Sequence, residues 1–270
     1  RPAVVLGLGG FVAGPGGLAA RLVGVPLVIH EQNAVAGLTN RVLARIAARV
    51  LAAFPGAFAA ATVGVTGNPV RAVIAGLAPP AARFAGREGP ARLFVFGGSQ
   101  GAATLNRLLP MALGRLPAEL RPVVLHQAGR GTARVDAVRE AYAQAGVAAT
   151  VEEFIDDMAA AYAAADLVVC RAGALTVTEL AAAGVGALLL PLPTAVDDHQ
   201  TANARWLVAV GAARCIDERG LSAEGLANSL QEVLVAGRRA WLRMAESARS
   251  VAVTDAAARV ADICLEEARR

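Results

Sequence analysis

The chain has 270 residues, enough for one large or two medium domains, and is 56% hydrophobic but only 4% aromatic, with 28 glycines. Its formal net charge is +4 and all 26 basic residues are arginine, scattered rather than clustered, so genomic base composition explains the mild basicity better than nucleic-acid binding. No apolar run is long enough to cross a bilayer, and Cys170, Cys215 and Cys264, far apart with no C-x-x-C, suggest neither a zinc site nor a disulfide framework. A reducing cytosol fits that cysteine usage. Arg1-Pro2 runs straight into an apolar stretch, Ala3–Leu6, with no start methionine or signal peptide. The expectation is a chain that lacks its natural N-terminus.

The first strand enters Val4-Val-Leu-Gly-Leu-Gly-Gly10, and Gly14-Pro-Gly-Gly17 is expected to open the helix that follows. Gly7 and Gly9 match two glycines of a dinucleotide fingerprint, but Val12 stands at the third position. Phosphate approach and simple turn geometry both remain open for this loop. A second strand, Val25–His30, ends in Glu31-Gln-Asn33, polar groups where α/β folds place ligands, or alternatively caps for the next helix. That helix is expected over Leu38–Val50 and would carry Arg41, Arg45 and Arg49 on one face. Such a stripe is either a solvated face or a contact with anionic lipid headgroups.

Val63–Thr66 leads into Gly67-Asn-Pro-Val-Arg71, a turn signal, and the Ala-, Pro- and Gly-rich stretch Leu77–Pro90 reads as a connector. Arg92-Leu-Phe-Val-Phe-Gly-Gly-Ser-Gln-Gly101 then repeats strand, glycine loop and helix, which argues for two similar α/β domains. Strands at Pro122–His126, Val151–Phe154, Leu167–Cys170 and Ala187–Pro191 alternate with helices at Thr132–Ala145, Met158–Ala164, Leu175–Ala183 and Thr201–Val210. That alternation predicts a parallel, doubly wound sheet. Helices over Ser222–Ala236, Arg238–Ser250 and Asp255–Ala268 close the chain.

The stretch Val168–Glu179 concentrates the functional signal. Its strand breaks at Arg171-Ala-Gly173 into a helix whose first N–H groups suit a phosphate, and Glu179 is placed to accept hydrogen bonds from a ribose diol. An ordinary strand–helix connection with a solvated Glu179 is the competing reading. Asp197, Asp198 and His199 follow Thr194, but no second cluster completes a metal site. His126 reads as a local hydrogen-bonding group.

In order, His30-Glu-Gln-Asn33, Gly67-Asn-Pro-Val-Arg71, Gly97-Gly-Ser-Gln-Gly101, Phe154-Ile-Asp-Asp-Met158, Gly173-Ala-Leu-Thr-Val-Thr-Glu179 and Asp198-His-Gln200 with Asn203 resemble the MurG family of peptidoglycan N-acetylglucosaminyltransferases. Each motif is weak singly, but six in one order are specific, and the match runs from Arg1 to the C-terminus.

The resemblance implies a GT-B glycosyltransferase with two Rossmann-like domains, the first incomplete. Residues 1–70 would be half of an acceptor- and membrane-side domain, 71–252 a UDP-sugar domain, and 253–270 a helix returning to the first. It implies UDP-N-acetylglucosamine as donor, contacted by Asn33, Arg71, Ser99, Ile155, Ala174, Leu175, Thr176, Val177, Thr178, Glu179 and Gln200. The loop of Gly9, Gly10, Gly14 and Gly16 would face the diphosphate of lipid I, the polyprenyl-linked acceptor. No cofactor, metal or nucleic acid is implied.

Ala172 stands where relatives often have serine and Thr194 where many have histidine, and the family's first glycine loop would precede Arg1. Glu31 is the candidate base within the chain; a residue before Arg1 is the alternative. An acceptor with a long polyprenyl tail would place the enzyme peripherally on the cytoplasmic face of the bacterial inner membrane, with Arg41, Arg45 and Arg49 as contacts. The rival readings are a UDP-N-acetylglucosamine 2-epimerase, for which three histidines are a thin inventory, and an inactive nucleotide-sugar-binding fragment.

Overall fold

The computed structural model describes residues 1–59, 63–98, 102–193 and 198–269. The first sheet is built from β1 (Val5–Gly7), α1 (Gly10–Leu22), β2 (Leu27–Glu31), α2 (Leu38–Leu43), β3 (Arg49–Ala52) and β4 (Gly64–Val65), with strand order β1-β2-β3-β4 and all pairs parallel. Two short helices, α3 (Ala72–Ala75) and α4 (Pro80–Phe84), cross to the second sheet. There β5 (Arg92–Phe96), α5 (Ala103–Gly114), β6 (Val123–Gln127), α6 (Thr132–Gln144), β7 (Ala149–Glu152), α7 (Met158–Ala164), β8 (Leu167–Cys170), α8 (Ala174–Ala183), β9 (Gly186–Leu189), α9 (His199–Ala209) and β10 (Ala213–Cys215) alternate. The chain ends in α10 (Ala223–Val235), α11 (Gly237–Ser250) and α12 (Ala256–Ala268).

Six parallel strands run in the order β10-β9-β8-β5-β6-β7, with helices on both faces. Alternate side chains divide between those faces, as the two-residue strand period requires. Leu93, Val95, Leu167, Val169 and Leu188 pack with Leu105 and Leu109 of α5 and Leu226 and Leu230 of α10. Phe94, Phe96, Val168, Cys170, Ala187 and Leu189 pack with α7, α8 and α9. That second core also takes in Ala53 and Phe54, just past β3, and Phe54 meets Trp206 of α9 edge-on at 5.0 Å. The two sheets are therefore joined by apolar packing as well as by the chain.

The first sheet has smaller cores. Leu27 and Ile29 of β2 pack with Leu43 on one face, and Val28 and Leu51 with Val260 of α12 on the other. Arg49 adds an ion pair to Glu267 at 2.8 Å, tying α12 to β3. Two touching crossings link the halves. A Cβ on Gly67, which has φ +77°, would lie 2.6 Å from Cβ of Val253, so only glycine fits there.

Three expectations are corrected. The helix after β1 begins at Gly10, not at Gly14, so Gly14 and Gly16 lie inside α1. The long helix over Leu38–Val50 ends at Leu43, and Arg49–Ala52 is a strand, because pairing with Val28–Glu31 outweighs the local helix preference of an Ala- and Arg-rich run. The connector is partly helical, at α3 and α4, and β10 was not foreseen at the sheet's edge.

Candidate active site

Strand order in the large sheet reverses between β5 and β8, and their carboxyl ends flank the crevice where open α/β sheets bind ligands. Phe96 and Cys170 are register partners, so the loops after them are neighbours. Ser99, the expected contact in the first of these loops, lies outside the described residues, as do Thr194 and Asp197. In the second loop Gly173 is extended (φ −62°, ψ 150°) and starts α8 with no side-chain cap among the described residues. The first intrahelical bond runs from Val177 N–H to Gly173 O at 3.0 Å. The N–H groups of Ala174, Leu175 and Thr176 precede it, have no intrahelical acceptor, and carry the positive end of the helix dipole.

The expected lining of α8 narrows. Val177 is fully buried in the core, and Thr178 turns its hydroxyl back to donate to Ala174 O and Leu175 O, both at 3.0 Å. Helical periodicity puts these two on the inner face together with Ala174, which packs partly buried against the same core, and leaves Leu175, Thr176 and Glu179 on the outer face. Ile155 follows β7 and packs partly buried against the same core.

Glu179 is held on both oxygens. Its Oε1 accepts from Arg71 Nε at 3.1 Å and Nη2 at 3.0 Å, and its Oε2 accepts from the Tyr162 hydroxyl at 3.2 Å. Burial, reinforced by the neighbouring carboxylate, pushes the Tyr162 hydroxyl well above the ordinary tyrosine range, so it stays protonated and donates. The structure thus pairs two residues named from the sequence, Arg71 and Glu179, directly, and braces Glu179 with a tyrosine that the sequence did not single out.

Gln200, on the first turn of α9, accepts from Ala172 N–H at 3.2 Å and Leu192 N–H at 2.9 Å with one oxygen. Two N–H donors on one atom orient the amide, turning its NH2 the other way. Asn203, one turn on and fully buried, spans the gap between the sheets. It accepts from Ala34 N–H at 2.8 Å and donates to Asn33 Oδ1 and Ala172 O, both at 3.2 Å. The loop carrying Asn33 is thereby fastened to the loop carrying Ala172.

Glu31 is buried and receives four hydrogen bonds: Asn33 N–H (2.8 Å) and Nδ2 (3.2 Å) on one oxygen, Gly37 N–H (3.1 Å) and Asn40 Nδ2 (2.8 Å) on the other. A carboxylate has about four lone-pair sites, all engaged here. The expectation that Glu31 takes the acceptor's proton is corrected: its geometry is that of a loop organiser. His30 donates from Nε2 to Gly67 O at 2.9 Å, and its buried Nδ1 has no hydrogen-bond partner among the described residues. Burial lowers its pKa below the ordinary imidazole value.

Gly9 and Gly10, with φ +81° and +77°, form the start of α1 at the carboxyl end of β1. Gly14 and Gly16 sit within the helix, and a Cβ added at Gly14 would lie 3.6 Å from Thr39 of α2. The arginine stripe is also corrected. Arg41 is on α2, Arg45 in the turn after it and Arg49 on β3, bound to Glu267, so no single helix face carries all three.

Sequence reasoning also missed Glu218, after β10. It accepts from Arg171, at the end of β8, and from Thr104 in the first turn of α5, joining the two loops of the crevice. Nothing in its local sequence marks it; only the fold places it there. His126 is fully buried, with Nδ1 at 2.9 Å from the Tyr142 hydroxyl and Nε2 at 3.1 Å from Asn106 Oδ1. Among the described residues no three His, Cys, Asp or Glu side chains converge on a metal position.

Residues 92–260 match the glycosyltransferase family 28 C-terminal domain, and residues 1–52 match the family 28 N-terminal domain. A UDP-N-acetylglucosamine–N-acetylmuramyl-(pentapeptide) pyrophosphoryl-undecaprenol N-acetylglucosamine transferase of Ralstonia nicotianae is 54% identical across 100% of this chain, which spans 73% of that protein. Its namesake in Aeromonas hydrophila is 58% identical, over 98% of this chain and 72% of its own length. The crystal structure of Acinetobacter baumannii MurG aligns with a TM-score of 0.88 at 43% identity, over 98% of this chain and 73% of that one. A Neisseria meningitidis UDP-GlcNAc 2-epimerase, 12% identical with a TM-score of 0.62, shares the fold alone. Two parallel α/β sheets facing a common crevice, matched at this identity along the whole chain, make it a member of the MurG family of GT-B glycosyltransferases.

Proposed function

We propose that this chain is a hexosyltransferase that moves N-acetylglucosamine from UDP-N-acetylglucosamine to the C4 hydroxyl of lipid I, forming lipid II in peptidoglycan synthesis. The observation that carries the reading is the crevice itself: an uncapped helix start on one sheet, facing a polar loop of the other that Asn203 fastens to it. A departing UDP needs its developing charge met by fixed dipoles, and the N–H groups at Ala174–Thr176 supply them. The acceptor hydroxyl attacks the anomeric carbon from the face opposite the diphosphate, inverting it. A base takes the hydroxyl proton. Glu179 receives the ribose diol, Ile155 lies against the uracil, and Gln200 and Asn33 reach the sugar. Ser99 and Arg71 serve the diphosphate.

Residues 1–70 form the acceptor side, with Gly9 and Gly10 toward the lipid diphosphate; residues 71–252 form the donor side, and 253–270 return to the first. Work on a polyprenyl-linked acceptor places the chain peripherally at the cytoplasmic face of the inner membrane. No helix among the described residues is long and apolar enough to cross a membrane. Arg41 and Arg45 flank one groove of about 510 Å³ whose walls include Val35, Ala57 and Phe58, a charged rim over an apolar floor that suits an anionic lipid surface.

The test is incubation of the chain with labelled UDP-N-acetylglucosamine and lipid I in vesicles. A labelled disaccharide lipid is the expected product. N-acetylmannosamine would move the chain to the epimerases, and binding of donor without product would remove the transferase reading. Calorimetric titration with UDP-N-acetylglucosamine, UDP-glucose and ADP-glucose reports separately on the donor site.

A further inference from the structure

The ion pair between Arg71 and Glu179 lies where two different ligand contacts are wanted. On the reading above, Glu179 receives ribose hydroxyls and Arg71 the diphosphate, yet in this structure each holds the other. Both Arg71 Nε and Nη2 converge on Oε1, which fills the two lone-pair directions of that oxygen. Tyr162 takes one direction on Oε2. A cis-diol that donates one hydrogen bond to each oxygen finds a vacancy on Oε2 and none on Oε1. Ribose and Arg71 therefore compete for one atom.

The partners differ in freedom. Glu179 is only 16% exposed and braced by a tyrosine with no solvent exposure, whereas the Arg71 side chain is 51% exposed on the segment that crosses between the sheets. A pair whose guanidinium is half exposed is cheaper to break than one buried on both sides. The first turn of α8 lies about 7 Å along the axis from Glu179, within the reach of a swinging guanidinium. A phosphate there would offer Arg71 a bidentate partner at least as good as the carboxylate it leaves. A bare nucleoside offers it nothing.

We propose that Arg71 is a specificity-determining residue: it occupies the Glu179 carboxylate until a diphosphate draws it away, so that the site favours nucleoside diphosphates over nucleosides beyond what the phosphate contacts alone confer. The proposal rests on the donor-site reading, and the two can fail separately. The ligands are uridine and UDP, titrated by NMR and calorimetry into the parent chain, Arg71→Met and Arg71→Lys, with a thermal melt to establish that each variant is folded.

The expected result for Arg71→Met is opposite shifts: uridine tightens about threefold, as its competitor is gone, while UDP weakens about tenfold or more. Arg71→Lys, with a single ammonium in place of the fork, tightens uridine less than Arg71→Met does. If uridine binds either variant no better than the parent, Arg71 is a plain phosphate contact and the exchange is refuted. If the parent binds neither uridine nor UDP, the donor-site reading falls and takes the exchange with it.

Discussion

Glu31 and Glu179 are the two carboxylates that the sequence motifs single out, and their surroundings separate them. Glu31 takes four hydrogen bonds from the loop that follows it and from Asn40 of α2, while Glu179 takes three contacts from two partners, one of them exposed. Glu31→Gln puts an NH2 group against backbone and side-chain donors, which leaves them unpaired at a cost of about 2 kcal/mol. Urea unfolding should show that loss. Any residual turnover should keep the acid limb of the parent's pH profile, since the base lies elsewhere; disappearance of that limb would return the role to Glu31. His126 makes a second prediction. Burial pushes its pKa down to about 4 from 6.5, so between those values the unfolded chain binds a proton that the folded chain does not. Stability should therefore fall as pH falls through that window, by about 2 kcal/mol at pH 5 relative to neutrality, and His126→Gln should flatten the dependence. Glu179 could be found from spacing alone because a helix start fixes what lies a turn beyond it. Tyr162 and Glu218 could not, because both reach the crevice from distant segments.

At the scale of elements, the strands and helices of the large sheet, apart from the edge strand β10, were legible within a residue or two. Their apolar runs and glycine breaks repeat in a strict alternation, and burial on both faces gives the strands a continuous apolar signal. The first sheet was less legible. Ala44–Ala48 has nothing that opposes a helix, and only pairing of Arg49 with Val28 reveals the strand. The scattered arginines also find their meaning here. Arg83 donates to the carbonyls of Ala78, Tyr162, Ala183 and Gly184, and Arg249 to those of Ala75 and Ala182, most of them carbonyls near helix C-terminal ends that lack an N–H donor within the helix. A chain without lysine can do this because one guanidinium forks to several carbonyls. Arg83→Lys should lower stability by about 2 kcal/mol in a chemical denaturation series, despite keeping the charge. A neutral outcome would mean that the carbonyls are satisfied by water instead.

At the scale of the molecule, the halves are joined by Asn203, by Phe54 against Trp206, and by two crossings of the chain. Asn203→Ala leaves Ala34 N–H, Asn33 Oδ1 and Ala172 O without that partner. Turnover should drop about tenfold while UDP affinity changes little, because the donor loops stay intact and only the Asn33 side is released. An equal loss of UDP affinity would place Asn203 in the donor site proper. Gly67→Ala forces a methyl onto Val253 in a left-handed backbone and should cost about 3 kcal/mol by urea titration. That contact has a mechanical meaning as well. Two strips of chain connect the halves, and they touch at Gly67 and Val253. Bodies pinned side by side along one edge can rotate about that edge but can neither slide apart nor twist freely. Any opening of the crevice should then be a swing that is least at the pin. Asn203 sits near that pin, since its partner Asn33 follows Gln32, whose carbonyl accepts from Asn68 beside Gly67, so it would steady the hinge itself.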